Sequence, residues 1–238
     1  DNMLVTPTGA TSGMLQDSGV GPVVNYSAFS AAGALQVTAN ALTVNGSAAG
    51  DNITVTNGRV TVAGDLPVNY NTSASALNIM GLGGGDTLTV DSTTGAVTTP
   101  IYYDGGAGSN SLTLTGGTAT SDIYSPGAAT GQGLNTLVIG GQTESVHFVN
   151  LAPVIDNVAG PLVVNGTNGD DAITAGASPN MVSVNNLETI TFANKTSLTL
   201  NGMAGNDSFA ITPSNISLGG GTIDVNGGTL GEGNTLRV

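Results

Sequence analysis

The chain has 238 residues, with 37 Gly, three Lys or Arg, one His and no Cys or Trp, and its formal net charge is −13 at pH 7. So few basic residues in so acidic a chain cannot neutralise phosphates, which excludes nucleic acid as a partner. The apolar stretches are much shorter than the roughly 20 residues that span a bilayer, so no membrane insertion is expected.

Short strands are predicted along the whole chain. Val, Ile and Leu recur at every second position, with Thr, Ser and Asn between them, which is the pattern of a strand with one buried face. In chain order the clearest segments are residues 42–44, 53–55, 60–62, 88–90, 112–114 and 198–200. Each is bounded by Gly, Asn or Asp, and no segment has the period of a helix. The sequence therefore predicts an all-β protein.

A glycine-punctuated motif occurs six times between these strands. In each copy an alternating apolar segment reaches a Gly, and an Asp or Asn follows five residues later, or seven in the sixth copy. The glycines are Gly46, Gly81, Gly105, Gly166, Gly202 and Gly227, and their partners are Asp51, Asp86, Asn110, Asp171, Asp207 and Asn234. Gly, Asp and Asn favour tight turns, because Gly adopts positive φ and Asx side chains bond their own backbone. We therefore favour turn formation as the role of these residues.

The motif is itself duplicated. The first three glycines recur as the last three after 120, 121 and 122 residues, and Val24-Asn25-Tyr26 maps onto Val146-His147-Phe148. The chain therefore divides into two tandem β units, residues 1–119 and 120–238. A third unit would begin close to the last residue, which leads us to expect assembly into a longer array.

Two architectures suit such a chain. Strand-and-turn modules of about 12 residues can coil into a β-solenoid, similar to a parallel β-helix or β-roll, in which each rung covers the open edge of the last. The alternative is two antiparallel β-sandwich domains, because short strands at this spacing are typical of sandwiches as well.

The motif resembles the calcium-binding nonapeptide of RTX (haemolysin-type) proteins. Residues 105–113 read Gly-Gly-Ala-Gly-Ser-Asn-Ser-Leu-Thr, and residues 81–89, 166–174 and 202–210 match the first, fourth, sixth and eighth positions of that nonapeptide. The resemblance implies a parallel β-roll with calcium held between adjacent turns, which requires Gly81 to stack with Gly105 and Gly202 with Gly227. The metal candidates are the Asx residues Asp51, Asp86, Asn110, Asp171 and Asp207, together with Asp170, because the adjacent carboxylates of residues 170 and 171 are costly unless they are solvated or bind a metal.

The spaced form of the motif is also similar to the long Gly-, Asn- and Thr-rich repeat proteins of bacterial cell surfaces. That resemblance implies an extracellular or cell-surface location and a role as scaffold, adhesin or fibre. Eight Asn-x-Ser/Thr sequons leave a surface glycan open as a modification or partner.

Enzymatic chemistry is not expected. His147 is the one histidine and takes an outward slot of the duplicated pattern, so a Ser-His-Asp triad or a zinc site cannot be assembled. Paired carboxylates could still act on sugars, but enzymes of that kind usually display aromatic platforms for the sugar. This chain is 4% aromatic, and Tyr102-Tyr103-Asp104 is its one aromatic and acidic cluster.

The leading functional prediction is a structural subunit or segment of an extracellular filament, fibre or surface layer that assembles head to tail. Uncapped strand edges at the two ends of a repeat array pair with further copies. The expected contacts are Met3, Leu4 and Val5 of one copy with Leu236 and Val238 of its neighbour. The alternatives are a calcium-stabilised adhesin module and a carbohydrate-active β-helix.

Overall fold

The computed structural model describes residues 1–17, 22–30, 32–229 and 233–238. These residues form 24 strands and one 3-10 turn at Pro213–Asn215, so the all-β prediction is confirmed. In this described part of the chain, no helix has the length and apolar character to cross a membrane.

The strands are short and are numbered in chain order. They are β1 (Asn2–Gly9), β2 (Ser12–Asp17), β3 (Val24–Tyr26), β4 (Leu35–Val37), β5 (Ala41–Asn45), β6 (Asn52–Thr56), β7 (Arg59–Val62), β8 (Val68–Tyr70), β9 (Ala76–Met80), β10 (Thr87–Asp91), β11 (Ile101–Asp104), β12 (Ser111–Thr115), β13 (Ala119–Pro126), β14 (Gly133–Ile139), β15 (Gln142–Val149), β16 (Val154–Asp156), β17 (Gly160–Asn165), β18 (Ala172–Ala175), β19 (Met181–Val184), β20 (Ile190–Phe192), β21 (Lys195–Asn201), β22 (Ser208–Ile211), β23 (Ile223–Asn226) and β24 (Thr235–Arg237).

The described strands form two sheets of 12. The first has the order β23-β21-β17-β13-β14-β15-β11-β9-β5-β1-β2-β3, and the second has the order β24-β22-β18-β19-β20-β16-β12-β10-β6-β7-β8-β4. In both sheets, the order of the last six strands recurs in the first six with every strand number raised by 12. This period agrees with the sequence duplication, while the division into units 1–119 and 120–238 stays a prediction.

The path of the chain explains why both sheets are mixed. The chain crosses from one sheet to the other repeatedly, and strands from successive visits pair in parallel, as β5 does with β9 and β10 with β12. At four places in the described chain it makes an antiparallel three-stranded meander before it crosses: β1–β3, β6–β8, β13–β15 and β18–β20. The architecture therefore differs from two antiparallel sandwich domains, because parallel pairs β11–β15 and β12–β16 carry both sheets across the two halves.

The core lies between the two sheets. Parallel pairing is in register, so like side chains stack on like: Leu42, Leu77, Ile101 and Val146 succeed one another in the first sheet and are fully buried. The buried apolar residues form a cluster that extends from Val5 to Ile211. Burial of each Val, Leu or Ile side chain contributes about 1.5–3 kcal/mol, which is the main force holding the sheets together.

Candidate functional site

The residues predicted to bind metal stand in two columns along the turns. In the first column, Asp86 Oδ1 accepts the Asp51 N–H at 2.8 Å, and Asn110 Oδ1 accepts the Asp86 N–H at 2.9 Å. In the second column, Asp207 accepts the Asp171 N–H at 2.9 Å, and the Asp207 N–H bonds Asn234 Oδ1 at 2.6 Å. The motif copies therefore stack on one another, including those at Gly81 and Gly105 and those at Gly202 and Gly227.

The same columns explain the glycines of the motif. A Cβ on Gly46 would lie 2.7 Å from Asp51 Oδ2, and a Cβ on Gly166 would lie 2.6 Å from Asp171 Oδ2. Real Cβ atoms do not approach so closely, so any larger residue would displace the carboxylate from the turn. The five-residue spacing of Gly and Asx is thus a steric consequence of folding the Asx side chain back over its own turn.

Each column side chain uses one oxygen on a backbone N–H group, and Asp86 Oδ2 is buried without a hydrogen-bond partner among the described residues. Asp171 Oδ2 also accepts the Thr167 N–H at 2.7 Å, and the exposed Asp170 accepts the Asn206 N–H at 2.8 Å through Oδ1. In the part of the chain that the structure describes, no group of three or more His, Cys, Asp or Glu side chains is arranged to hold a metal ion. Calcium binding stays a prediction, and the geometry supports the turn role of these residues.

Asp86 is the fully buried carboxylate of the first column. Burial raises the pKa of Asp86; the N–H of Asp51 opposes this shift, and the charge of Asp51 adds to it. The next column position holds Asn110, whose amide oxygen makes the equivalent bond without a charge. An acceptor oxygen is therefore what this position requires.

We expect Asp86→Asn to keep the stability of the wild type, because the amide oxygen still accepts the Asp51 N–H. The control Asp86→Ala leaves that N–H without its acceptor and should lower the free energy of unfolding by about 1–3 kcal/mol. Chemical denaturation in EDTA and in excess calcium measures both. A calcium-dependent rise in stability that Asp86→Asn abolishes would assign a metal role to the column instead.

An open groove of about 510 Å³ lies on the outer face of the first sheet where the two halves meet. Tyr102 of β11 lies opposite His147 of β15, and their rings stack with centroids 4.7 Å apart and planes 8° apart. Tyr102 is 43% exposed, and Asp104 and Gln132 also line the groove. A flat aromatic surface flanked by polar groups suits the apolar face of a sugar ring.

A carbohydrate-active site would need a second carboxylate beside the first. Asp104 is the one carboxylate among the described residues that line this groove. Its Oδ1 accepts the Gly106 N–H at 2.9 Å and a bond from the Asn150 amide at 2.7 Å, so it is held as a structural acceptor. The groove therefore offers a surface for binding rather than an acid and base pair.

A buried ionic cluster was missed by sequence reasoning. Lys195 Nζ lies 2.7 Å from Asp122 Oδ2, 2.8 Å from Asp156 Oδ1 and 2.7 Å from the carbonyl oxygen of Val158. The side chains of Lys195, Asp122 and Asp156 are all 0% exposed. Its members come from β21, β13 and β16, so no local motif marks the cluster; a comparison of the two duplicated units position by position could have found it.

The sheet ends expose apolar residues that are buried elsewhere in the repeat. Val24 on β3 is 55% exposed, whereas Val146, its counterpart on β15, is fully buried. Leu236 on β24 is 58% exposed, whereas the matching Leu112 on β12 is fully buried. In the described chain, β3 and β4 are the last strands at one end of the two sheets, and β23 and β24 are the last at the other.

The expected contact at Met3, Leu4 and Val5 needs correction. β1 pairs with β2 on one side and with β5 on the other, and Val5 is 0% exposed. The N-terminal segment therefore lies inside the first sheet, because the meander places two further strands beyond it. The expected contact at Leu236 and Val238 does fall at an edge, since Leu236 lies on β24 and Val238 directly follows it.

Glu144 on β15 links the second half of the chain to the first half by hydrogen bonds. Its Oε2 accepts bonds from Ser92 Oγ at 2.6 Å and from the Val97 N–H at 2.7 Å, both in the segment between β10 and β11. Burial raises the pKa of Glu144, these two bonds oppose the shift, and the charge of Asp156 adds to it. The folded chain therefore binds a proton at Glu144 more readily than the unfolded chain does.

A carboxyl whose pKa is raised in the folded state stabilises the fold less as the pH rises. The loss begins near the pKa of the group in the unfolded chain, about 4.3 for Glu, and is complete above its pKa in the folded chain. We expect the melting temperature to fall across this window, with a shallower fall in Glu144→Gln, which keeps the oxygen acceptor without the charge. Thermal melts of both proteins at a series of pH values test this. Parallel pH curves would contradict the role of Glu144.

The chain matches no protein-family model, and neither the curated proteins nor the solved structures compared with it gave a match.

Proposed function

We propose that the chain is a structural subunit or segment of an extracellular filament, fibre or surface layer, in which copies join head to tail. In this proposal the alternating path between two sheets is a β-solenoid widened by meanders. Among the described residues, its end strands are β3 and β4 at one end and β23 and β24 at the other, and a second copy of the chain covers their free edges.

The observation that carries the proposal is the junction inside the chain. There β15 and β16 pair in parallel with β11 and β12, and Ile101 lies opposite Val146 while Leu112 lies opposite Val154. By the 12-strand period, β3 and β4 are the counterparts of β15 and β16, and β23 and β24 are the counterparts of β11 and β12. The two ends of one copy therefore present the same strand pairs that already join its halves.

The exposed side chains at the ends support the same pairing. Val24 and Leu236 would become buried, as their counterparts Val146 and Leu112 are. Unpaired strand edges with apolar side chains are strong templates for further pairing. Because the contact joins one end to the opposite end, it does not close and gives an open polymer.

An extracellular location is part of the proposal. It is supported by the resemblance of the Gly-Asx motif to RTX proteins and to the repeat proteins of bacterial surfaces. The charge of −13 keeps the lateral surfaces of neighbouring filaments apart, so that growth proceeds at the ends.

We expect the wild type to associate as its concentration rises and to form fibres visible by electron microscopy. Leu236→Glu, which places a charge on the edge strand β24, should stop this growth, because pairing would bury the charge. Thr113→Glu is the matched control, since Thr113 points outward from the internal strand β12. Sedimentation velocity follows all three proteins; a wild type that stays monomeric at high concentration contradicts the proposal.

The stacked pair Tyr102 and His147 favours a second candidate function, recognition of a glycan by the groove. We expect Tyr102→Ala to weaken binding to a glycan that the wild type selects from an immobilised panel by about tenfold, or 1.4 kcal/mol. Thr113→Ala, outside the groove, should bind as the wild type does. If the wild type retains no glycan of the panel, this second function is rejected.

A further inference from the structure

The buried ionic cluster occupies positions that are apolar in the other half of the chain. The strand registers define the equivalence: Asp156 lies opposite Phe192 on β20 as Val37 lies opposite Tyr70 on β8. The registers of the paired strands give the equivalent residue of the first half in each case. Met3 corresponds to Asp122, Val37 to Asp156 and Ala74 to Lys195. Val37 and Ala74 are buried, and Met3 packs against the core.

The strands of the first half form without a charged cluster at these positions. Burying two carboxylates and an ammonium costs several kcal/mol in desolvation for each ion, and apolar replacements of similar volume are often neutral or stabilising. The first half builds the same strands with apolar side chains at all three positions. The second half therefore carries a charged cluster that its architecture does not require.

We propose that Lys195 and Asp122 react to form an intramolecular amide bond between Nζ and Cγ, with Asp156 as the proton carrier. The site brings the reacting groups into contact and keeps them from water. The amine and the carboxyl are in hydrogen-bond contact at 2.7 Å, and their side chains are shielded from water. A second carboxylate, Asp156, contacts the same Nζ at 2.8 Å.

The hydrogen bonds assign different roles to the two carboxyls. Asp156 Oδ1 accepts hydrogen bonds from both Lys195 Nζ and the Val158 N–H, the latter at 3.0 Å, whereas Asp122 accepts a hydrogen bond from Lys195 Nζ through Oδ2. One oxygen of each carboxyl, Asp122 Oδ1 and Asp156 Oδ2, has no hydrogen-bond partner among the described residues. Burial raises the pKa of Asp122 to about 8, the charge of Asp156 adds to this shift, and Lys195 opposes it. Asp122 is therefore the neutral acid that can lose water, and Asp156 is the base.

The reaction balances within the cluster. Asp156 takes a proton from the Lys195 ammonium, and the free amine of Lys195 attacks Cγ of protonated Asp122. As the C–N bond forms, Asp156 donates its proton to the departing hydroxyl and takes the second proton from the nitrogen. Lysine ammonium, carboxylate and carboxylic acid thus become an amide, a protonated Asp156 and one water, without an oxidant, a metal or a cofactor.

The mass of the folded, purified chain tests the proposal directly. The wild type is expected to be lighter than its sequence by one water. Trypsin cuts after the three residues Arg59, Lys195 and Arg237, so the denatured, unlinked chain gives the fragments 1–59, 60–195 and 196–237 and the last residue, Val238. A linked Lys195 is no longer a trypsin site, and residues 60–237 should stay in one piece.

Two variants control the experiment. The triple variant Asp122→Met, Asp156→Val and Lys195→Ala copies the apolar residues of the first half and should fold with its full mass. Asp156→Asn removes the proton carrier and should form the bond about 100-fold or more slowly. A wild type of full mass overturns the proposal, as does a loss of water that persists in the triple variant. An unchanged rate in Asp156→Asn overturns the role given to Asp156. The mass of a single chain does not depend on filament growth, so the outcome is separate from that of the proposed function.

Discussion

In-register stacking of like residues on parallel strands is the constraint on which the rest of the structure depends. It places Leu over Leu in the core and, at the turns, an Asx oxygen over the N–H of the preceding Asx. The two effects act on different parts of the chain. Apolar burial holds the two sheets face to face, and the Asx columns accept hydrogen bonds from backbone N–H groups of the turns, which no strand can pair. A glycine five residues before each Asx, or seven in the sixth copy, leaves the space that the Asx side chain needs.

The parts of the structure that local chemistry decides were predictable from the sequence. The strands follow from the alternation of apolar and polar residues, and the turns follow from the Gly-Asx spacing, because both are set within a few residues. The meanders were not predicted, since Val60 and Val62 alternate in the same way whether β7 runs parallel or antiparallel to its neighbours. For the same reason the N-terminal strand was placed at an edge, although β2 and β3 extend the sheet beyond it.

Functional residues that depend on long-range placement were the hardest to find. Asp156 and Asp122 lie 39 and 73 residues from Lys195 and share no motif with it. Tyr102 and His147 come from different halves and meet because β11 and β15 pair across the junction. The duplication itself holds the missing signal, since a charged residue in one half opposite an apolar residue in the other marks a departure from the repeat.

The meanders lie alternately in the first and the second sheet, and this arrangement sets the height of both sheets. Each half places six described strands in the first sheet and six in the second, because each half has one three-stranded meander in each sheet and its other strands are shared equally between the sheets. At a spacing of about 4.8 Å between strands, both sheets rise by about 29 Å per half, so the two sheets end level with each other. Level ends let both sheets continue at once from the first half into the second, as they do at the pairs β11–β15 and β12–β16.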